Sequence, residues 1–111
     1  MFLSTTDFIP GKDIMEHKGF VKGATIRAKH IGKDLLAGLK TIVGGEIKVY
    51  KQALDEARDI AIQRMTDEAS KLGANAIICV RLQTSQIMQG ATEMIAYGTA
   101  VVIEDKKLTV L

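Results

Sequence analysis

The stretch GLKTIVGGEIKVYKQALDEARDIA, residues 38–61, decides how this chain is built. An apolar segment runs into Gly44 and Gly45, and a long charged helical pattern comes after them. Two glycines ahead of a helix can form a backbone cradle for phosphate, or a corner at which two helices join. A P-loop needs GxxxxGK[ST] after a strand and a dinucleotide fold needs GxGxxG, and IVGGEIKVY is neither. Glu46 also places a negative charge beside the helix N-terminus, which suits the helix dipole and repels phosphate. The glycines therefore read as a corner, where a positive φ costs glycine least.

Working outward, the segment before the corner places Ile31, Leu35, Leu39 and Ile42 at helical spacing. After it, the periodicity from Val49 to Leu72 is stronger. Tyr50, Leu54, Ala57, Ala61, Met65, Glu68 and Leu72 fall on one stripe, widened by Ala53, Ile60 and Ala69. Gly73 comes directly after Lys71 and Leu72 and suits a left-handed C-cap.

Extended segments flank this helical region. In residues 14–30, Phe20, Lys22, Ala24 and Ile26 alternate with Val21, Gly23, Thr25 and Arg27, and Gly19 and Gly23 predict a bulge or a close backbone approach. Residues 75–85 predict a strand with Ala76, Ile78, Val80 and Leu82 on one face and Ile77, Cys79, Arg81 and Gln83 on the other. A turn at Gly90 leads to a last strand over 93–105. Ile95, Tyr97, Val101 and Ile103 share one of its faces, and Met94, Ala96, Gly98, Ala100 and Val102 the other. The closing KKLTVL extends the sheet or reaches a neighbour.

The expectation is an α+β domain over residues 1–111: a β-α-β-β subunit with a small, mostly antiparallel sheet and a helix broken at Gly44-Gly45. One helical layer covers one face of such a sheet. The last two strands carry apolar residues on both faces, and a second copy of the chain is the simplest cover for the other face.

Composition narrows the function classes. The chain is 47% apolar and 25% charged, with no Trp and a net charge of +2, which is ordinary for a globular domain. Residues 1–51 hold nine Lys/Arg against five Asp/Glu, and the remainder six against eight. No Arg-rich run accompanies that asymmetry, so nucleic acid is not the expected partner. One cysteine, Cys79, excludes an intrachain disulfide and points to a reducing compartment. The start MFLSTTDFIPGK lacks an export signal, and no segment reaches the roughly 20 apolar residues of a membrane span. The expected location is the cytoplasm.

Together these segments resemble the YbjQ-like family, labelled as heavy-metal-binding. The match runs through Ser4–Thr6, through Gly19 and Gly23 in GFVKG, and through Lys33, Asp34, Ala37, Gly38, Ile42, Val43, Gly44 and Gly45. It continues with Tyr50, Ala57 and Arg58, then LGANA (72–76) and AYGTAV (96–101). The resemblance implies a subunit of dodecin-like architecture that assembles into a ring, a pentamer, and it implies no particular reaction. The chain departs from the family pattern at Ala24, where Glu is usual, and at His30, where Asn is usual. Glu46-Ile47-Lys48 stand in place of Arg-Ser-Gly, and LQTS replaces aromatic and acidic residues after LGANA.

The chemistry on offer is sparse. A soft metal ion wants three or four thiolate or imidazole ligands, and the chain supplies Cys79, His17 and His30 with no CxxC or HxxxH pair. Such a site, with a metal ion as cofactor, would form at a subunit interface, where symmetry repeats each ligand. Cys79 lies in the apolar run AIICV, which favours the neutral thiol over a nucleophile. Arg27, Lys29, Lys33 and Lys40 cluster in sequence and could hold an anion if subunits bring them together. The first expectation is a binding or scaffolding homo-oligomer without catalysis. A metal-binding protein is the second, and an enzyme acting on a small anionic substrate in an interface cleft the third.

Overall fold

The computed structural model describes residues 1–27 and 45–107. The helical stripe at residues 31–42 and Gly44 of the expected corner lie outside the described residues. Gly45 is the first residue of the long helix α1, Gly45–Lys71. The strands are β1 (Phe2–Leu3), β2 (Lys12–Arg27), β3 (Ala76–Met88) and β4 (Ala91–Asp105).

They form one mixed sheet in the order β1-β3-β4-β2. β4 pairs antiparallel with both β2 and β3, while the short β1 pairs parallel with β3. β2 and β3 therefore run the same way with β4 between them. A parallel pair requires a long crossover, and α1 lies on that path. The class is α+β, as the order of extended and helical patterns predicts.

The helix sits on β2 and β4 and barely reaches β3. Ala57, Ala61, Met65 and Ala69, four apart, are fully buried along its inner face. Small residues there let the backbones come close, and Gly23 shows how close. A Cβ on Gly23 would run into the Ala61 carbonyl oxygen and the Met65 amide nitrogen. The close approach expected at Gly23 is present, and Gly19, at φ 112°, sits at a bulge in β2. At its far end the helix closes with a Schellman arrangement. The Ala74 amide donates to Ala69 at 3.1 Å and the Gly73 amide to Ser70 at 3.0 Å. Just beyond, Asn75 bridges to β4, donating from its side chain to the Ile103 carbonyl and accepting from the Ile103 amide.

Three residues of the helical stripe differ from expectation. Glu68, Ile60 and Leu72 are exposed, because the inner row keeps a strict four-residue step and the helix leaves β3 uncovered.

A larger correction concerns β3. Ile77 and Val80 both pack in the helix-side core with Val21, Ala96 and Ala100. Ile78 lies on the other face with Ala76, Val101 and Ile103. The two faces thus exchange within four residues. The cause is a bulge: Ile78 opposes Thr99 and Arg81 opposes Tyr97, so Cys79 and Val80 together face the single residue Gly98. One extra residue inverts every side chain beyond it. Val80 and Leu82 therefore lie on the helix side, and Cys79, Arg81 and Gln83 on the opposite side, the reverse of simple alternation. β4 has no such insertion of its own along this stretch, and its faces alternate as expected.

Candidate functional site

The bulge residue Cys79 has φ 55°, the only non-glycine positive φ among the described residues. That conformation costs an L-residue about 1 kcal/mol or more. Local hydrogen bonds hold it. The Cys79 amide donates to the Thr6 carbonyl at 2.9 Å, the Val80 amide to Ser4 at 2.9 Å, and the Ser4 amide to Ile77 at 2.9 Å. The N-terminal segment thus continues β1 as an irregular partner for the bulged strand.

That segment is itself cross-tied by two hydroxyls of its Ser-Thr-Thr run. Ser4 Oγ and Thr6 Oγ1 lie 2.7 Å apart, and the Thr6 amide donates to Ser4 Oγ. Thr6 Oγ1 donates to the Phe8 carbonyl at 2.7 Å, and Ser4 Oγ reaches the same oxygen at 3.2 Å. From β3, the Arg81 guanidinium donates to the Thr5 carbonyl at 2.7 Å and to the Val80 carbonyl at 2.9 Å. The loop continues to Ile9, which is buried against Ala76, Ile78, Val101 and Ile103. Ser4, Thr6, Cys79 and Arg81 are one structural unit that a linear reading treats as unrelated. Small hydroxyl residues that satisfy their own backbone were the available signal.

The thiol of Cys79 is free and half-buried, packed against the small core of Ile9, Ala76, Ile78, Val101 and Ile103. His17 is exposed on β2 opposite Val101. β4 therefore separates it from Cys79, which lies opposite Gly98, so the two are two strand spacings apart across the sheet and three residues apart along it, roughly 14 Å. Among the described residues, no group of three or more His, Cys, Asp and Glu comes together. His30, Lys29, Lys33 and Lys40 lie outside the described residues. Arg27 ends β2 opposite Thr92.

On the face away from the helix, Ile9 and its loop cover only the end of the sheet near β1. Beyond, the face is left open by the described residues. Phe20 is 64% exposed and Ile26 56%, on the edge strand β2. Phe20 stacks at an angle on Tyr97, with ring centroids 6.4 Å apart. Lys22 and Arg81 are register partners of Tyr97 on its two sides. The result is an aromatic and aliphatic surface bordered by two cations.

Architecture of this kind, a split β-α-β sheet with one helical layer and no metal-ligand cluster among its described residues, defines a small α+β module. Residues 1–104 match the YbjQ family model, described as "Putative heavy-metal-binding", and the chain belongs to that family. A "UPF0145 protein" of Dehalococcoides mccartyi is 62% identical over 104 residues, covering 94% of this chain and all of the relative. One from Clostridium perfringens is 58% identical over 105 residues, covering 95% and 99%. Among solved structures, a DUF74-family protein of unknown function from Pediococcus pentosaceus is similar in fold. Its TM-score is 0.60 at 19% identity, covering 94% of this chain and 98% of that one. The family match leaves residues 105–111 beyond it.

Proposed function

We propose that the chain is a cytoplasmic homo-oligomeric binding or scaffolding module, a pentameric ring without a reaction of its own. The observation that carries this reading is the open sheet face. Phe20 and Ile26 are more than half exposed on a strand whose other face is packed, and contiguous apolar surface of this kind marks an interface. β2 also stands at the edge of the sheet, and an edge strand beside an apolar face favours a second copy. Size-exclusion chromatography with light scattering is the test. The expected mass is five times the 12.1 kDa of the chain, and a stable monomer at micromolar concentration overturns the reading.

A second reading draws on the family description, which names heavy metals. In it, Cys79, His17 and His30 are ligands, and each site takes residues from more than one subunit, since β4 separates Cys79 from His17 within one chain. Native mass spectrometry after exposure to zinc or copper(I) separates the two. Retained metal that disappears in Cys79→Ser and in the paired His17→Ala, His30→Ala variant supports it. Retention unchanged in both variants removes these ligands.

A further inference from the structure

β3 outruns its cover. Among the described residues its outer side is paired as far as Val80 and no further. β1 meets Ala76 and Ile77, and the Cys79 and Val80 amides donate to the carbonyls of Thr6 and Ser4. From there to Met88, no backbone hydrogen bond from the described residues reaches the outer side of the strand. The helix gives no shelter either, because α1 barely reaches β3. The bare edge is LQTSQIM, residues 82–88, in which Leu82 is 49% exposed, Ile87 50% and Met88 66%. Natural edges are blunted by charges, by proline or by a covering loop. This one has no charged residue, no proline and no glycine, and such a stretch invites another strand.

The backbone phase dictates how a second strand would sit. The Val80 amide points outward, to Ser4, so by alternation those of Leu82, Thr84 and Gln86 do too, while that of Ser85 turns toward Glu93 on β4. An identical strand laid antiparallel can centre on Thr84 or on Ser85. Centred on Thr84, it sets Leu82 against Gln86 and Arg81 against Ile87, apolar against polar. Centred on Ser85, it sets Thr84 against Gln86 twice. It also brings Leu82 of each copy to the apolar, bulged Ile87–Met88 end of the other. Like then meets like at both ends, with no charge between them, which is what favours a cross-strand pairing.

We propose that Leu82–Met88 of β3 pairs antiparallel with the same residues of a second copy, about a two-fold axis through Ser85, joining two sheets edge to edge. A contact of this symmetry closes on itself and needs no further partner. One pair of short strands is a weak contact, so it forms above the micromolar range in which the ring proposed above is sized. It is separate from that ring, since two chains make it whether each is otherwise a monomer or part of a pentamer.

Disulfide trapping tests the register. At the axis the two Ser85 Cα atoms lie about 4.5 Å apart, within the range that a disulfide spans. Ser85→Cys, combined with Cys79→Ser so that it carries the only thiol, is oxidised with diamide and run on a non-reducing denaturing gel. Its mass is expected to double from the 12.1 kDa of one chain. Gln83→Cys in the same background should stay at one chain, because its two copies lie four residues apart along the pair, about 14 Å. Cross-linking in neither variant, or equally in both, overturns the proposal and leaves the ring to be read separately by light scattering. Thr84→Pro in the otherwise native chain gives a second measure. The Thr84 amide points outward, so proline spares the pairing with β4 and blocks the second copy. Sedimentation velocity is expected to show the mass of the wild type doubling between micromolar and millimolar concentration and that of Thr84→Pro holding constant. Doubling that persists in Thr84→Pro, or that is absent from the wild type, overturns the proposal.

Discussion

The two faces of the sheet are built on opposite principles. On the helix side, contact is so tight that one added methyl group at Gly23 meets backbone. On the far side, among the described residues, only the end near β1 is closed, by Ile9 and its loop, and the rest presents Phe20 and Ile26 to the surroundings. Among the described residues, closure takes a 27-residue helix on one face and a short loop on the other. A chain of 111 residues has limited means to cover both faces, which is where assembly becomes the simpler solution.

This contrast breaks most sharply at Gly23. Gly23→Ala places its Cβ against the Ala61 carbonyl oxygen and the Met65 amide nitrogen, and neither backbone atom can rotate away. Helix and strand must part along their contact. Overpacking of this kind costs about 3 kcal/mol, read as a fall in the denaturation midpoint with an unchanged slope. A loss below about 1 kcal/mol would show that the helix is free to lift off the sheet. Met65→Ala probes the same contact from the other partner. The side chain is fully buried in the helix-side core, and its truncation is expected to cost about 2–4 kcal/mol by the same measurement.

Cys79 tests whether the bulge is held by its own conformation. At φ 55°, Cys79→Val adds a β-branched side chain where the backbone tolerates it least. A destabilisation of about 2 kcal/mol is expected. Cys79→Asn, a residue that accepts this region, should cost less than half as much. If the two variants cost the same, packing around the side chain sets the loss and the backbone conformation does not.

How far the sequence speaks for each face depends on the same features. Regular alternation made β4 legible residue by residue, and small side chains with glycines announced the tight helix contact. The bulge at Cys79 was not legible, because AIICVRL has no glycine to mark the extra residue. Every face assignment beyond it was consequently inverted. Ile60 and Leu72 fit a helical stripe but not the core, since periodicity reports a helix face and not the width of the sheet beneath it. The Ser4–Thr6 clamp escaped because its partners, Cys79 and Arg81, are more than 70 positions away along the chain. The candidate ligands and cations share that difficulty. Spacing along one chain cannot say which of them meet across strands or between copies.

The smallest expected effect on the fold lies on the open face, and it is the most informative about the comparison. Phe20 is large and aromatic, yet 64% exposed, so Phe20→Ala removes little that the isolated subunit buries. Its main contact there is the tilted ring of Tyr97, and the expected loss is about 0.5 kcal/mol when measured at concentrations low enough to hold the chain as a monomer. At higher concentration the outcome should change. If a second copy covers this face, assembly adds to apparent stability by mass action, and the wild type gains with concentration while Phe20→Ala does not. Denaturation series at two protein concentrations therefore separate a face that is merely exposed from one built to be covered. Parallel behaviour of the two proteins would leave Phe20 as an ordinary surface residue, and the interface would have to lie elsewhere.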